Sequence, residues 1–294
     1  MRDELAVDKR EVRRAFEGAA QTYDAAAVLQ HEIARRMQQR LEYIKAVPHA
    51  ILDAGSGTGN AISALLDRYP GATIVALDIA HAMLRRVQTR LKWWQHLPGL
   101  RPPVHAVCAD LERLPLANDA FGLVWSNLAL QWMTDLPRAL SEMHRVLQPG
   151  GLVMFSTFGP DTLKELRRAY EGTDRHTHVN RFVDMHDIGD MLVAARYADP
   201  VMDMERITLT YDDVRGLMRD LKAIGAHNAT RGRPAALSPK SMLRAVERNY
   251  EAFRRDGKLP ATFEIVYGHA WKPQPRVGPR GRAVIEIKAV NREP

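Results

Sequence analysis

Apolar and polar positions follow two different periods along this 294-residue chain. From Asp8 to about Val47 the apolar residues recur every three or four positions, which predicts two amphipathic helices. In the next hundred residues short apolar runs alternate with helical patterns, and these runs predict strands. The predicted strands lie near 50–53, 73–77, 104–108, 121–126 and 151–157. Such alternation indicates an α/β fold with a doubly wound, Rossmann-like sheet that is mostly parallel.

The later part of the chain shows a different pattern. Residues 204–211 and 262–271 alternate apolar and polar side chains, which predicts a last pair of strands. The segment of about 212–260 has a helical pattern broken by glycine and proline, so we expect a helical lid insertion there. We therefore predict one domain over residues 1–271 and an irregular basic tail over 272–294.

A glycine-rich turn follows the first predicted strand. Residues 51–60 read I-L-D-A-G-S-G-T-G-N, with glycine at 55, 57 and 59. Glycine lets the backbone turn sharply and approach a ligand closely, and we expect the amides of the turn and of the following helix to point at that ligand. The dinucleotide form G-x-G-x-x-G would need glycine where Asn60 stands. The turn is thus a candidate cofactor cradle, and the structural alternative is a tight strand-to-helix connection.

Other candidate cofactor residues follow the carboxyl ends of the predicted strands, where ligands bind in parallel sheets. Asp78 and Ile79 follow the second strand, at about the interval that places an acid on a ribose diol. Asp110 follows the third strand and is able to accept a hydrogen bond from an adenine amino group, with Leu111 packing on the ring. The alternative for Asp110 is a helix N-cap. Asn127 follows the fourth strand.

Composition narrows the class of protein. The chain is 46% hydrophobic, enough for a full core, and its single cysteine, Cys108, lies in an apolar run that predicts a buried strand position in a reducing compartment. The first 14 residues mix acids and bases and lack the apolar stretch of a signal peptide. No apolar run approaches the length of a membrane span. We therefore expect a cytoplasmic protein that does not enter a membrane.

The net charge of +7 is unevenly distributed. Residues 212–258 hold 11 Lys and Arg against 6 Asp and Glu, and residues 272–294 hold 6 against 2. This excess suggests an acidic partner, and the alternative is a solvated helical surface. No aromatic-interleaved basic run supports nucleic-acid binding. The histidines of 174–178 and 184–187 are predicted in a polar loop and at a helix start, so we expect no metal site.

Two further stretches are more particular than the glycine-rich turn: F-G-P-D-T-L-K-E-L at 158–166 and F-V-D-M-H-D-I-G-D at 182–190. With them go the stretches 126–132, 199–203 and 225–228. Taken together, these motifs resemble those of the malonyl-acyl-carrier-protein O-methyltransferases of biotin synthesis, within the class I S-adenosylmethionine (SAM) methyltransferases. The resemblance spans roughly residues 9–272, and the first motifs are shared by many class I methyltransferases.

The resemblance implies that SAM gives its methyl group to the free carboxylate of malonyl-acyl carrier protein, or of malonyl-coenzyme A. The product would be the malonyl methyl ester that primes pimeloyl synthesis for biotin. A carboxylate is ionised at pH 7 and is itself the nucleophile, so no general base is required. We therefore expect no catalytic residue and a lid that positions the substrate and excludes water.

Two sets of site residues follow from topology and resemblance. The predicted cofactor-binding residues are Asp53, Gly55, Gly57, Gly59, Asp78, Ile79, Asp110, Leu111 and Asn127. The candidate substrate-lining residues are Tyr23, Asn127, Trp132, Phe158, His227 and Asn228. For Tyr23 the alternative is an aromatic side chain that packs its helix onto the core. The acidic carrier protein is expected to dock on the basic segment through Arg244, Arg248 or Arg254.

Three other functions fit parts of the pattern. One is a related class I methyltransferase acting on a small acid or a quinone. Another is an arginine hydroxylase similar to mitochondrial complex I assembly factors, and the third is a SAM-binding scaffold without activity. Product analysis separates them, because only a carboxyl methyltransferase makes a base-labile methyl ester.

Overall fold

The computed structural model of the chain describes residues 6–90, 103–226, 228–234 and 239–275. Its helices are α1 Lys9–Ala19, α2 Tyr23–Ala26, α3 Val28–Leu41, α4 Ile62–Arg68, α5 His81–Arg90, α6 Leu136–Val146, α7 Lys164–Tyr170, α8 Met185–Ala194, α9 Val214–Ala223 and α10 Lys240–Glu251. Its strands are β1 Ala50–Ala54, β2 Thr73–Asp78, β3 Val104–Cys108, β4 Phe121–Asn127, β5 Leu147–Phe158, β6 Ala198–Tyr211 and β7 Leu259–Trp271.

The seven strands form one sheet in the order β3-β2-β1-β4-β5-β7-β6. Every pairing among β1 to β5 is parallel, and β7 runs antiparallel to both of its neighbours. The predicted mostly parallel, doubly wound α/β sheet is therefore confirmed. Because the order reverses between β1 and β4, a crevice opens at the carboxyl ends of these strands, where ligands bind in such sheets.

The N-terminal region contains three helices instead of the predicted two. The chain turns after α1, where the Thr22 amide donates to the Ala19 carbonyl, and starts again as the four-residue helix α2. Ala27 leaves helical geometry at ψ 37° before α3 begins. A break of this size keeps the three-to-four-residue spacing on both sides, so periodicity alone could not reveal it. On α3 the predicted apolar face is buried, with Ile33 and Met37 fully enclosed.

Several predictions about strands need correction. β5 begins at Leu147 instead of residue 151, and β7 begins at Leu259 instead of residue 262. β6 begins at Ala198 instead of residue 204, with a bulge between Ala198 and Val201 near its start. Cys108 is exposed instead of buried, because β3 is the strand at one edge of the sheet and only its first residue, Val104, is buried. None of the described helices is long and apolar enough to span a membrane.

The predicted lid segment connects β6 to β7 and contains α9 and α10. α10 packs on α7, where the Asn249 side chain donates to the Ala169 carbonyl at 2.9 Å. The start of the predicted tail joins the sheet: the Lys272 amide donates to the Gly151 carbonyl, and the Gly150 amide donates to the Lys272 carbonyl. The predicted irregular structure beyond 275 lies outside the described residues.

Candidate active site

The glycine-rich turn lies at the carboxyl end of β1 and is tied to the end of β2. The amides of Gly55 and Ser56 both donate to the Leu77 carbonyl, at 2.8 and 2.9 Å. Gly55 has φ +81°, and a Cβ atom there would lie 2.3 Å from the Cβ atom of Ala129. Only glycine fits this position, because the turn passes directly against the loop that follows β4.

The amides of the three glycines do not point at a ligand as predicted. The Gly57 amide donates to Asp78 Oδ2 at 2.9 Å, and the Gly59 amide donates to the Ser56 carbonyl at 2.9 Å. Gly59 borders none of the cavities of the site, and a Cβ atom there would lie 2.9 Å from Ile62 Cδ1. The turn therefore contributes shape and close approach, while its amides hold the fold.

Asp78 is buried at the end of β2 and braces this turn. Its Oδ1 atom accepts from the Ala80 amide at 2.8 Å, while Oδ2 accepts from Gly57. Burial raises the pKa of the Asp78 carboxyl to about 6, although the two amides act in the opposite direction. The carboxylate is thus fixed in place, and its burial makes it costly to ionise even with these two donors.

A cavity of about 70 Å³ begins beside Asp78. It is bordered by both sets of residues that follow β2 and β3, and by aromatic side chains from the N-terminal helices. Its lining includes Lys9, Phe16, Tyr23, Gly55, Gly57, Asp78, Ile79, Asp110, Leu111, Asn127 and Trp132. Seven of the predicted cofactor residues therefore meet around one space, which we call the nucleoside cavity.

Asp110 closes a turn after β3 and also borders the nucleoside cavity. Its Oδ1 atom accepts from the Glu112 amide at 2.9 Å. The Lys9 ammonium binds the same Oδ1 atom and also lies 2.9 Å from Glu112 Oε2. Lys9 closes the cavity from α1, and no local pattern predicts this contact across a hundred residues.

A second, smaller cavity of about 30 Å³ lies on the other side of the glycine turn. Its walls carry four buried polar atoms without a hydrogen-bond partner: Asp53 Oδ2, Ser56 Oγ, Gln30 Oε1 and Trp125 Nε1. Burial and the neighbouring Asp78 charge raise the pKa of Asp53 to about 7. Unpaired buried polar atoms are rare, so this set fits a ligand that carries ammonium and carboxylate groups. We call it the amino-acid cavity.

Helix α2 lies across the glycine turn. Asp24 accepts from the Thr58 hydroxyl at 2.5 Å and pairs with Arg90, which fixes the helix above the turn. Tyr23 borders both cofactor cavities instead of the substrate cavity described below, so its predicted place among the substrate-lining residues is not where the fold puts it. Burial and the charge of Asp78 raise the pKa of the Tyr23 hydroxyl.

The largest cavity, of about 420 Å³, lies under α9 and is mostly apolar. It includes three of the predicted substrate-lining residues, Trp132, Phe158 and Asn228. Asn127 borders the two cofactor cavities instead, held by bonds from its Nδ2 atom to the Gln30 carbonyl and from Ser156 Oγ to its Oδ1 atom. His227 lies outside the described residues. We call this space the substrate cavity.

Two side chains connect the three spaces. Trp132 borders the substrate cavity and the nucleoside cavity, and Gln30 borders the substrate cavity and the amino-acid cavity. A molecule that fills both cofactor cavities would span the glycine turn and present its middle to the substrate cavity. Sequence reasoning missed Gln30, because a single polar residue on a mostly apolar helix face has no distinctive pattern.

Comparisons with known proteins agree with this geometry. A family model described as a methyltransferase domain matches residues 52–155. The malonyl-[acyl-carrier protein] O-methyltransferase of Gallionella capsiferriformans is 57% identical over 97% of this chain and 98% of its own. That of Laribacter hongkongensis is 53% identical over 98% of each chain. The chain belongs to the malonyl-[acyl-carrier protein] O-methyltransferase family.

Solved structures support the same fold. A putative methyltransferase from Bacillus halodurans matches with a TM-score of 0.57 at 16% identity, over 81% of this chain and 97% of its own. A putative methyltransferase from Haloferax volcanii, in complex with the methyltransferase activator Trm112, matches with a TM-score of 0.54 at 17% identity, over 90% and 98%. At these identities the likeness shows the sheet and its helices only.

The F-G-P-D-T-L stretch of this methyltransferase family member joins the end of β5 to β7. The Gly159 amide donates to the Glu264 carbonyl at 2.9 Å, and the Glu264 carboxylate accepts from the Asp161 amide at 2.7 Å. A Cβ atom on Gly159 would lie 2.6 Å from Glu264 Cδ, so a larger residue there would displace the Glu264 side chain. Thr162 exchanges hydrogen bonds with the backbone of Glu264 at 3.1 Å. The stretch therefore builds the cavity wall, and only Phe158, Thr162 and Leu163 touch the cavity.

Proposed function

We propose that this protein transfers a methyl group from SAM to the free carboxylate of a malonyl thioester carried by acyl carrier protein. The observation that supports it best is the meeting of two cofactor cavities with one mostly apolar substrate cavity at Trp132 and Gln30. The relatives that match nearly the whole chain are named for this reaction.

The residues of the two cofactor cavities fit SAM. Asp78 would accept from the ribose hydroxyls, Asp110 and Leu111 would hold the adenine, and the unpaired Asp53 oxygen would receive the ammonium group. When bound, SAM supplies a methyl group on a positively charged sulfur. The carboxylates of Asp53 and Asp78, whose pKa values are raised by burial, become easier to ionise beside that cation.

The chain positions the substrate and excludes water, and it does not need to supply a proton acceptor. The substrate carboxylate is already ionised at neutral pH, so the reaction moves no proton. The described histidine of the substrate cavity, His178, is committed elsewhere: its Nε2 atom lies 2.9 Å from Asp174 Oδ1, and its ring stacks on Tyr170 at 4.0 Å. An apolar lining disfavours water, which would otherwise compete with the carboxylate for the methyl group.

The mouth of the substrate cavity is marked by its exposed lining residues. Among the described lining residues these are Val28, Asp220 and Lys222. Arg219 lies three residues before Lys222 on the exposed side of α9, so two cations stand near the mouth. An acidic carrier protein that docks here would have its flexible arm at the entrance.

The predicted docking residues lie farther along the lid. Arg244 and Arg248 are exposed on α10. Arg254 is engaged in the fold, since its guanidinium binds Glu251 at 2.6 and 2.7 Å and the Gly257 carbonyl at 2.7 Å. We therefore place the carrier on α9, with Arg244 and Arg248 toward the rim of the contact.

The experiment is an assay of methyl transfer from radiolabelled SAM to malonyl-acyl carrier protein, malonyl-coenzyme A and acetyl-acyl carrier protein. We expect labelled, base-labile ester on the two malonyl substrates and none on the acetyl substrate, which has no free carboxylate. Ester formation on no malonyl substrate by folded, SAM-binding protein would refute the proposed function.

A further inference from the structure

We propose that the side-chain amides of Gln30 and Asn180 form the site that receives the substrate carboxylate. This inference rests on the proposed function and concerns the part of the substrate cavity that adjoins the cofactor cavities. The relatives and motifs described above assign no residue to this task.

Asn180 presents a free hydrogen-bond donor to the substrate cavity. The residue is 6% exposed and lies in the segment between α7 and α8. Its Oδ1 atom accepts from the Ala229 amide at 3.3 Å, which directs the Nδ2 atom away from the backbone. Nδ2 donates to no described residue, although Asn180 lines the cavity. A buried donor without an acceptor is unfavourable, so the position is suited to a ligand oxygen.

Gln30 is a second buried amide in the same cavity. It is 8% exposed, its Oε1 atom is buried without a partner, and its Nε2 atom, the donor, makes no hydrogen bond to any described residue. Because Gln30 also borders the amino-acid cavity, it lies at the cofactor end of the substrate cavity. Asn180 lies at that end too, since its partner Ala229 packs in one apolar cluster with Trp132, which borders the nucleoside cavity.

The other polar side chains of the described lining are less suited. His178 is bound to Asp174, and Lys222 is exposed at the mouth. The Asn228 amide is held in place, because one N–H of Nδ2 donates to the Thr177 carbonyl and Oδ1 accepts from the Thr230 amide at 2.9 Å. Among the side-chain amides of the described lining, those of Gln30 and Asn180 are the ones whose nitrogen donates to no described residue.

A neutral receptor suits this reaction better than a cation. One carboxylate oxygen forms a bond to the methyl carbon while the carbon–sulfur bond breaks, and the electron pair stays on sulfur as a neutral thioether. The negative charge of the carboxylate thus disappears during the reaction. A buried arginine or lysine would stabilise the ionised substrate more than the transition state and slow the transfer. Two neutral amides are able to bind both carboxylate oxygens, which offer about four lone-pair positions. Because they are uncharged, they stabilise the ionised substrate over the transition state less than a cation would.

The test uses variants that separate the donor from the fold. Asn180→Asp keeps an acceptor for the Ala229 amide but replaces the donor with a negative charge, and Gln30→Met keeps the volume without a donor. The matched control is Asn118→Asp, because Asn118 Oδ1 accepts from Arg145 at 2.8 Å at an exposed site that borders none of the three cavities. Malonyl-coenzyme A binding is measured by calorimetry on protein saturated with S-adenosylhomocysteine, and ester formation is measured separately.

We expect Asn180→Asp to weaken malonyl-coenzyme A binding by about 100-fold or more, and Gln30→Met by roughly 10-fold or more, since a hydrogen bond to a charged group is lost in each. S-adenosylhomocysteine affinity of Asn180→Asp and all properties of Asn118→Asp should stay near the wild type. Normal malonyl-coenzyme A binding and ester formation by both cavity variants would overturn the inference. If wild type binds malonyl-coenzyme A but forms no ester, and the variants lose binding, the carboxylate site stands while the proposed function fails.

Discussion

The two buried carboxylates beside the glycine turn predict that SAM affinity rises steeply with pH. Burial raises the pKa of Asp53 to about 7 and that of Asp78 to about 6. Both groups are therefore largely protonated in the free protein at pH 5.5, and the cationic cofactor needs them ionised. SAM binding must then release protons, and its affinity falls as the pH falls through these values.

The size of the effect follows from the two pKa values. If only the ionised form binds, the apparent dissociation constant grows by a factor of one plus the ratio of protonated to ionised carboxyl. Between pH 7.0 and pH 5.5 this factor changes by about 15-fold for Asp53 and about fourfold for Asp78, or roughly 60-fold together. This range lies below the pKa of about 8 of an α-amino group, so the SAM amino group keeps its charge throughout.

The decisive variant is Asp53→Asn, which keeps the shape of the side chain and removes its ionisation. We expect only the roughly fourfold pH effect of Asp78 to remain. Affinity at pH 7.0 should also fall by about 10- to 150-fold, the cost of losing a charge-assisted hydrogen bond of about 1.5 to 3 kcal/mol.

Calorimetric titration of wild type and Asp53→Asn with SAM at four pH values measures both quantities, and thermal unfolding without ligand confirms that the variant is folded. A variant that keeps the full pH dependence of the wild type would show that Asp53 does not receive the ammonium group. The stability of the free protein provides a second test of the two pKa values. Because folding raises both pKa values, the folded state binds more protons between pH 4 and 7, and stability without SAM should fall as the pH rises through this range.

Three further outcomes test other parts of the structure. Gly159→Ala should lower the melting temperature by roughly 2 to 12 °C in thermal unfolding, because the added methyl group meets the Glu264 carboxylate. Overpacking of this kind costs about 1 to 3 kcal/mol. An unchanged melting temperature would contradict the tight contact. Asp78→Ala should weaken SAM by about 10- to 150-fold in calorimetry and also lower stability, since Asp78 braces the glycine turn, whereas equal affinity would remove it from the site. At low salt, Arg219→Glu should raise the KM for malonyl-acyl carrier protein severalfold, and by more than Arg244→Glu does, while the KM for malonyl-pantetheine stays unchanged. Equal losses on both substrates would place Arg219 in the fold or the pocket instead.

The sheet was predictable because its strands carry strong local signals. The five parallel strands lie in apolar runs bounded by turn residues, and β1 to β4 begin and end within one residue of their predicted positions. The start of β6 was not predictable in the same way, because the bulge after Ala198 depends on pairing with Trp271 of β7, more than seventy residues later. Exposure of Cys108 likewise depends on the position of β3 in the sheet, which an apolar run does not reveal.

The cofactor site was only partly predictable. Asp53, Asp78, Asp110 and Leu111 lie at or just after the carboxyl ends of strands, where the sequence placed candidate site residues, since these ends of parallel strands meet at one edge. What the amides of the glycine turn bind could not be read from the sequence. The Gly57 amide was predicted to face a ligand, yet it donates to Asp78, because both groups come to the same edge of the sheet and a buried carboxylate needs donors.

In the substrate cavity, the most distinctive sequence motif and the residues proposed to bind the substrate are different residues. The F-G-P-D-T-L stretch is the most particular sequence signal, yet Gly159 and Asp161 serve to fasten β5 to β7 through Glu264. Gln30 and Asn180 belong to no such signal, and an amide in a sequence looks the same whether its hydrogen bonds are made or missing. What sets these two apart is the absence of a described partner for their side-chain donors in a buried place, and only the fold reveals that. The F-G-P-D-T-L pattern marks residues that hold the structure together. The proposed substrate-binding donors are recognised instead in the folded chain, because no described residue accepts a hydrogen bond from them.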